Sequence, residues 1–286
     1  MFTAYVTFVL NQNNNSLQTV ELIGFGGALL IGITLGLIGG GGSILTVPIL
    51  VYLLGISPVV STAYSLFVVG STSLVGAIRN MTKGLVEIKT AIVFMIPAFI
   101  AVYLTRRYAI PAIPDELFSI GSLLITKDLA IMLFFAFIMF AAAISMLRQA
   151  QCKDCDEVAM QEKIKLNYGL VVLEGTVVGA LTGLVGAGGG FLIIPALVLL
   201  AKLPMKKAVA TSLLIIAVKS LIGFIGDVQN LTIDWAFLLP FTAISIIGIF
   251  VGIWLSKFIN GSSLKKGFAW FVLVMAVYIM YKELMS

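Results

Sequence analysis

The feature that most constrains this chain is a run of four glycines, Gly39-Gly40-Gly41-Gly42, followed by Ser43 and set between two apolar segments. The chain writes the run twice: GLIGGGGSILTVPIL from Gly36 and GLVGAGGGFLIIPAL from Gly183. In each copy a long apolar stretch stops at the glycines and a much shorter one follows. Glycine lies about 1 kcal/mol below alanine in helix preference, so the run predicts a helix break. In lipid, exposed backbone N–H and C=O groups each cost several kcal/mol without partners. Such a break is tolerated only inside protein or beside a water-filled cavity. Two broken helices in corresponding positions point to a binding site between them.

The lipid setting comes from composition. Of the 286 residues, 60% are hydrophobic and 11% are charged, with a mean hydropathy of +1.12. Soluble domains carry roughly 25% charged residues. Apolar stretches of about 20 residues suit a hydrocarbon core of about 30 Å. They fall near 20–38, 58–78, 88–105, 128–147, 168–185, 206–226, 234–256 and 266–284. The shorter runs 44–54 and 191–201 are each 11 residues, or about 16 Å of helix, and read as re-entrant half-helices. The fold class expected is an all-α integral membrane protein with about 8 transmembrane helices and two half-helices. Trp235 and Trp254 bracket the seventh span as interface anchors would. Met1–Leu10 lacks the basic start of a signal peptide and reads as an uncharged extracytoplasmic end.

The halves align without a gap from 32–80 onto 179–227, a constant offset of 147, with 18 of 49 positions identical. The division expected is a first membrane repeat over 1–147, a cytoplasmic linker over 148–166 and a second repeat over 167–286. Charge orients them. Arg79, Lys83 and Lys89 lie in one loop, whereas the equivalent loop 227–234 holds only Asp227 and Asp234. Lys202, Lys206, Lys207, Lys257, Lys265 and Lys266 mark two further basic loops. The positive-inside rule puts the basic loops in the cytoplasm and 227–234 outside, so equivalent loops face opposite sides. The repeats are expected to be inverted, with the two breaks meeting near the midplane. Arg106 and Arg107 go against the rule, partly offset by Asp115 and Glu116.

At the segment G-L-x-G-[GA]-G-G-[GS]-x-[LI]-x-[VI]-P in each half, followed by A-x-S-L at Ala63–Leu66 and Ala210–Leu213, the chain resembles the TauE/SafE sulfite exporter family of permeases. The resemblance covers nearly the whole chain. It implies a secondary transporter of small sulfur-containing or organic anions, sulfite export above all. The two copies differ where Ser43 stands opposite Gly190.

The candidate site residues form three groups. At the breaks, Gly40, Gly41, Gly42 and Ser43 and then Gly188, Gly189 and Gly190 would present free N–H groups and positive helix ends to an anion. Close helix packing is the plainer reading of the same glycines. In the spans that follow, Ser65 and Thr72, and likewise Ser212 and Lys219, lie seven residues apart on one helix face, with Thr211 adjoining. Their hydroxyls could replace an anion's hydration shell or simply bond between helices. Lys219, within an apolar stretch, either holds the anion or snorkels outward; its repeat partner is Thr72. Glu174 is the candidate for ion coupling.

Other chemistry lacks its parts. The chain has no histidine, so the commonest general base and transition-metal ligand is missing. Cys152 and Cys155 alone cannot close a four-ligand zinc site. No Lys-Ser/Thr follows the glycines as a P-loop needs. An enzyme is not expected, nor a cofactor, metal or nucleic acid. The expected partners are a small anion such as sulfite and the lipid bilayer of a cell inner or plasma membrane. An anion importer coupled to protons is the alternative, and a passive channel a lesser one. Oligomeric state has no signal in the sequence.

Overall fold

The computed structural model describes residues 23–40, 42–114, 116–120, 123–149, 168–185, 189–190, 193–194, 197, 203–256, 258 and 261–285. Gly41, Gly188, Cys152, Cys155, the amino-terminal end and most of the linker and second half-helix lie outside them, as does the side chain of Ser43.

Helices dominate. α1 is Ile23–Ile38. α2 is the first half-helix, Gly42–Pro48, widening into a π-helical turn over Ile49–Leu53. α3 is Pro58–Met81, and α4 is Ile88–Leu104, continuing through a π-helical turn at Thr105–Ala109 to Ala112. α5 is Lys127–Gln149, α6 Tyr168–Val185, α7 Met205–Val228, α8 Trp235–Leu255 and α9 Gly261–Met285. Pro58 opens α3 because a first-turn proline loses no helical hydrogen bond. α4 runs seven residues beyond the expected end at 105, because its π turn carries the two arginines within the helix. The expectation of helices alone misses one small feature. Glu116–Ile120 and Leu123–Thr126 form an antiparallel hairpin, β1–β2, whose Leu, Ile, Phe and Thr content favours strands.

Four described helices are long and apolar enough to cross a membrane: Pro58–Met81, Ile88–Ala112, Lys207–Val228 and Trp235–Leu255. Shorter apolar helices occur at Ile23–Ile38, Ile44–Leu53 and Val172–Leu184. On α4 the exposed side chains Ile88, Ile92, Ile96, Ile100 and Leu104 recur every four residues, a stripe suited to lipid rather than water. Serines and threonines are buried instead, among them Ser61, Thr62, Ser65, Thr72, Ser73, Thr211, Ser212 and Ser220.

Equivalent elements recur 147 residues apart. α3 and α7 share length and offset, α4 and α8 start at equivalent residues, and α1 and α6 end at equivalent residues. One contact between the halves is repeated at the equivalent position. The Glu87 N–H donates to Thr211 Oγ1 (3.0 Å), and the Asp234 N–H, at the equivalent position, donates to Tyr64 Oη (2.8 Å). The start of α3 therefore lies beside the end of α7, and the two helices run antiparallel at the centre.

Small residues bring the outer helices close. α1 lies against α8: a Cβ on Gly32 would fall 2.9 Å from Gly248 Cα, and one on Gly252 would fall 2.9 Å from Gly36 Cα. α6 lies against α4 at the equivalent places: a Cβ on Gly179 would fall 2.9 Å from Ala98 Cα, and one on Gly183 would fall 2.8 Å from Thr105 Cβ. Without a strong hydrophobic drive between helices in lipid, such backbone approach is what holds them together. Each half thus docks its first helix on the other half's helix. α5 and α9 form a separate pair, where Met132, Phe135, Met139, Val272 and Ala276 pack with Ile44 and Val47 of the first half-helix.

This architecture gathers charge at its ends. Lys207 pairs with Glu87 at 3.9 Å, and Arg79 lies over the Phe250 ring at 5.3 Å. The start of α7, the loop that follows α3 and the last turns of α8 therefore share one end of the bundle. Arg107 Nη1 donates to Asn230 Oδ1 (3.1 Å) at the other end. Arg106, expected as a loop charge, is fully buried there instead.

Candidate functional site

The break in the first half begins at Gly39. Its φ of +79° is a left-handed conformation open to glycine, and its N–H donates to the Leu35 carbonyl (2.8 Å), closing α1. The chain then crosses the centre through Gly40. A Cβ on Gly40 would fall 2.5 Å from the Gly190 carbonyl carbon, and one on Gly190 would fall 2.6 Å from Ile216 Cδ1. Gly40 and Gly190 are thus in backbone contact. The two breaks meet.

From this contact the halves differ. Gly189 has a φ of +63°, and its carbonyl accepts the Ile193 N–H four residues on (3.1 Å), the spacing of a helical hydrogen bond. Lys219 Nζ reaches Gly189, standing 2.7 Å from where a Cβ would be, and donates to Thr182 Oγ1 of α6 (3.0 Å). Lys219 is fully buried. Its side chain points to the break and does not snorkel to an interface. Among the described residues no carboxylate pairs with it.

The first break is less polar. A Cβ on Gly42 would meet Leu35 Cγ and Thr34 Oγ1, both at 2.9 Å. Thr46 Oγ1 turns back to the Gly42 carbonyl (3.1 Å), and Ser212 Oγ donates to the Val209 carbonyl (2.8 Å) while standing 3.3 Å from that of Gly39. Thr72, the counterpart of Lys219, is buried with no hydrogen-bond partner among the described residues, and so are Ser65, Ser73 and Ser220. Buried hydroxyls without partners are uncommon in folded proteins and call for water or a ligand.

The sequence-derived candidates separate on this geometry. Gly40, Gly42, Gly189, Gly190, Ser212 and Lys219 gather at the meeting point. Ser65 and Thr72 contribute orphan hydroxyls on α3. Thr211 instead accepts the Glu87 N–H at the start of α4. Glu174 is partly exposed and lies eight residues before Thr182 on α6, about 12 Å from the Lys219 contact. Gly41 and Gly188 lie outside the described residues.

Two residues escaped the sequence reading. Thr182 sits opposite Leu35 in the repeat alignment, and its hydroxyl became visible as a partner only through α6 packing. The other is Arg106, whose Nη1 donates to Thr62 Oγ1 (2.9 Å) and faces Asp227 Oδ2 at 3.4 Å.

Comparison with known proteins shows the family. A family model described as Sulfite exporter TauE/SafE matches residues 24–279. A probable membrane transporter protein of Xylella fastidiosa strain 9a5c is 29% identical over 268 residues, covering 92% of this chain and 95% of the relative. A probable membrane transporter protein of Methanocaldococcus jannaschii is 33% identical over 116 residues, covering 38% of this chain and 43% of the relative. Another, YunE of Bacillus subtilis, is 44% identical over 63 residues, covering 22% of this chain and 23% of the relative. No solved structure matches.

Proposed function

We infer that this chain, which belongs to the sulfite exporter TauE/SafE family and is a multi-pass membrane transporter, carries a small oxyanion between its two glycine breaks. The observation that carries this reading is Lys219: a fully buried ammonium at Gly189 with a neutral hydroxyl partner. A charge at the bilayer centre costs at least about 2.5–3.5 kcal/mol and usually marks a transport path. An anion supplies the missing counter-charge.

Recurrence at an offset of 147, together with the antiparallel run of α3 and α7, supports inverted repeats with about eight spans and two half-helices. Clustering of the basic loops at one end supports a cytoplasmic side there and extracytoplasmic termini. In that layout a negative interior expels anions. A dianion such as sulfite gains about 4.6 kcal/mol per 100 mV on leaving, twice the single-charge value, so export needs no coupling ion. Import would need one, and Glu174 would be its carrier.

Flux into proteoliposomes across a panel of anions, with voltage and pH varied separately, tests the reading. Sulfite flux driven by voltage alone is the expected result. Flux that requires a proton gradient and favours organic anions would replace export with coupled uptake. No anion flux at all would defeat both.

A further inference from the structure

Arg106 carries a second site. Its side chain is fully buried within the π-helical turn at the end of α4, against Thr62 of α3 and Asp227 of α7. Both of those contacts use Nη1. Nε and Nη2 have no hydrogen-bond partner among the described residues. These two nitrogens form the edge of a guanidinium that holds two oxygens side by side, the geometry suited to carboxylates, phosphates and related oxyanions. An arginine kept from water with that whole edge unpaired is an unusual arrangement, and a buried donor calls for a ligand or ordered water. π-helical turns of this kind recur at functional sites.

Its position relative to Lys219 gives the edge a role. Asp227 lies eight residues beyond Lys219 on α7, about 12 Å along the helix. Between the two levels stand the unpartnered hydroxyls of Ser65, one turn from Thr62, and Ser220, seven residues before Asp227. At the equivalent positions of the other half the chain has Ile253, Asn80 and Val209 in place of Arg106, Asp227 and Thr62, so this charged cluster exists at one end of the seam only.

We propose that the Nε/Nη2 edge of Arg106 is a second oxyanion-binding station, which takes the anion between the Lys219 site and the end of the bundle away from the basic loops. The identity of the anion rests on the transport reading above. The Asp227 carboxylate holds the guanidinium through Nη1, keeps it oriented while the station is empty, and weakens anion binding enough for release.

Sulfite binding to the purified full-length protein, by equilibrium dialysis and by thermal unfolding, tests this. In Lys219→Met, residual saturable sulfite binding should remain. Adding Arg106→Lys, which keeps a charge for Asp227 but lacks the fork, should weaken that residual site at least about ten-fold. Adding Asp227→Asn instead should tighten it several-fold, because a like charge is gone, and sulfite should raise the unfolding temperature of that variant more than that of the parent. Absence of residual binding, or residual binding indifferent to both changes, would reduce Arg106–Asp227 to a structural ion pair. If Arg106→Lys fails to fold, the sign of the Asp227→Asn effect decides alone. If Lys219→Met keeps full affinity, the central reading fails by itself, and both Arg106 arms are then read in the otherwise unaltered protein.

Discussion

The two glycine breaks share an origin and a meeting point, but their surroundings have diverged. Gly42 faces Leu35, and the next helix offers Thr72; Gly189 faces Thr182, and the next helix offers Lys219. Both pairs occupy equivalent positions. The first break has Leu35 and the Thr34 hydroxyl against Gly42, whereas the second has the Thr182 hydroxyl and a buried ammonium at Gly189. Backbone meets backbone where the breaks touch, because neither Gly40 nor Gly190 can gain a Cβ without collision, but the two are not equivalent positions of the repeat: Ser43 stands opposite Gly190. Side-chain chemistry differs as well. On the proposed function, an anion between them would meet one charged wall and one neutral wall, which suits a ligand that must be held and then released. Two buried cations would hold it more tightly and release it more slowly.

The largest expected effect tests the shared part. Gly40→Ala and Gly190→Ala each push a methyl into the facing break, where 2.5 Å separates it from backbone in the first case. Overpacking of this kind costs about 1–3 kcal/mol, and it displaces the site itself. Both variants should lose transport, on the order of a hundred-fold or more, while Gly26→Ala, with open space around its Cβ, should not. If one break tolerated alanine and the other did not, the contact would not be a mutual one. Proteoliposome flux normalised to folded protein makes the measurement.

Next comes the charged wall. Lys219→Met removes a charge-assisted contact worth about 1.5–3 kcal/mol, so anion affinity should fall roughly 10- to 150-fold. Thr72→Val at the equivalent place should change it by less than about three-fold. Equal losses measured on purified protein would mean that the halves bind alike. Lys219→Arg should keep part of the affinity, since charge survives and geometry changes.

A smaller effect is expected at the hydroxyl beside Lys219. Thr182→Val deletes the hydroxyl to which Lys219 Nζ donates, a loss of about 1 kcal/mol or roughly five-fold in affinity. Leu35→Thr, which makes the first break resemble the second, should give no gain, because no ammonium stands opposite. The smallest expected change is in Glu174→Gln. Lying about 12 Å from Thr182, it should leave affinity within two-fold, and voltage-driven export should persist. Loss of flux in this variant would favour proton coupling.

Much of this was legible before any coordinates. Helix bounds followed the apolar runs to within a few residues at α3, α7 and α8, since lipid demands long uninterrupted helices and leaves little else. The two breaks, expected to meet, touch at Gly40 and Gly190. Arg106 was legible only as an anomaly. A sequence reads two adjacent arginines as a loop, whereas a π turn carries one of them inward to Asp227, 121 residues away.

The chain's own pattern determined that it lies in lipid, that it is built twice, and that each copy breaks at its glycines, because these depend on local composition and spacing. It also marked Lys219 as out of place. Where the ammonium goes was decided by packing. α7 runs antiparallel to α3, α6 docks on α4 through Gly179 and Gly183, and only then does Thr182 stand within 3.0 Å of Nζ. A side chain's partners in a helical membrane protein lie on other helices. Helix register, set by where small residues let backbones approach, is therefore what gives a lone buried charge its partner.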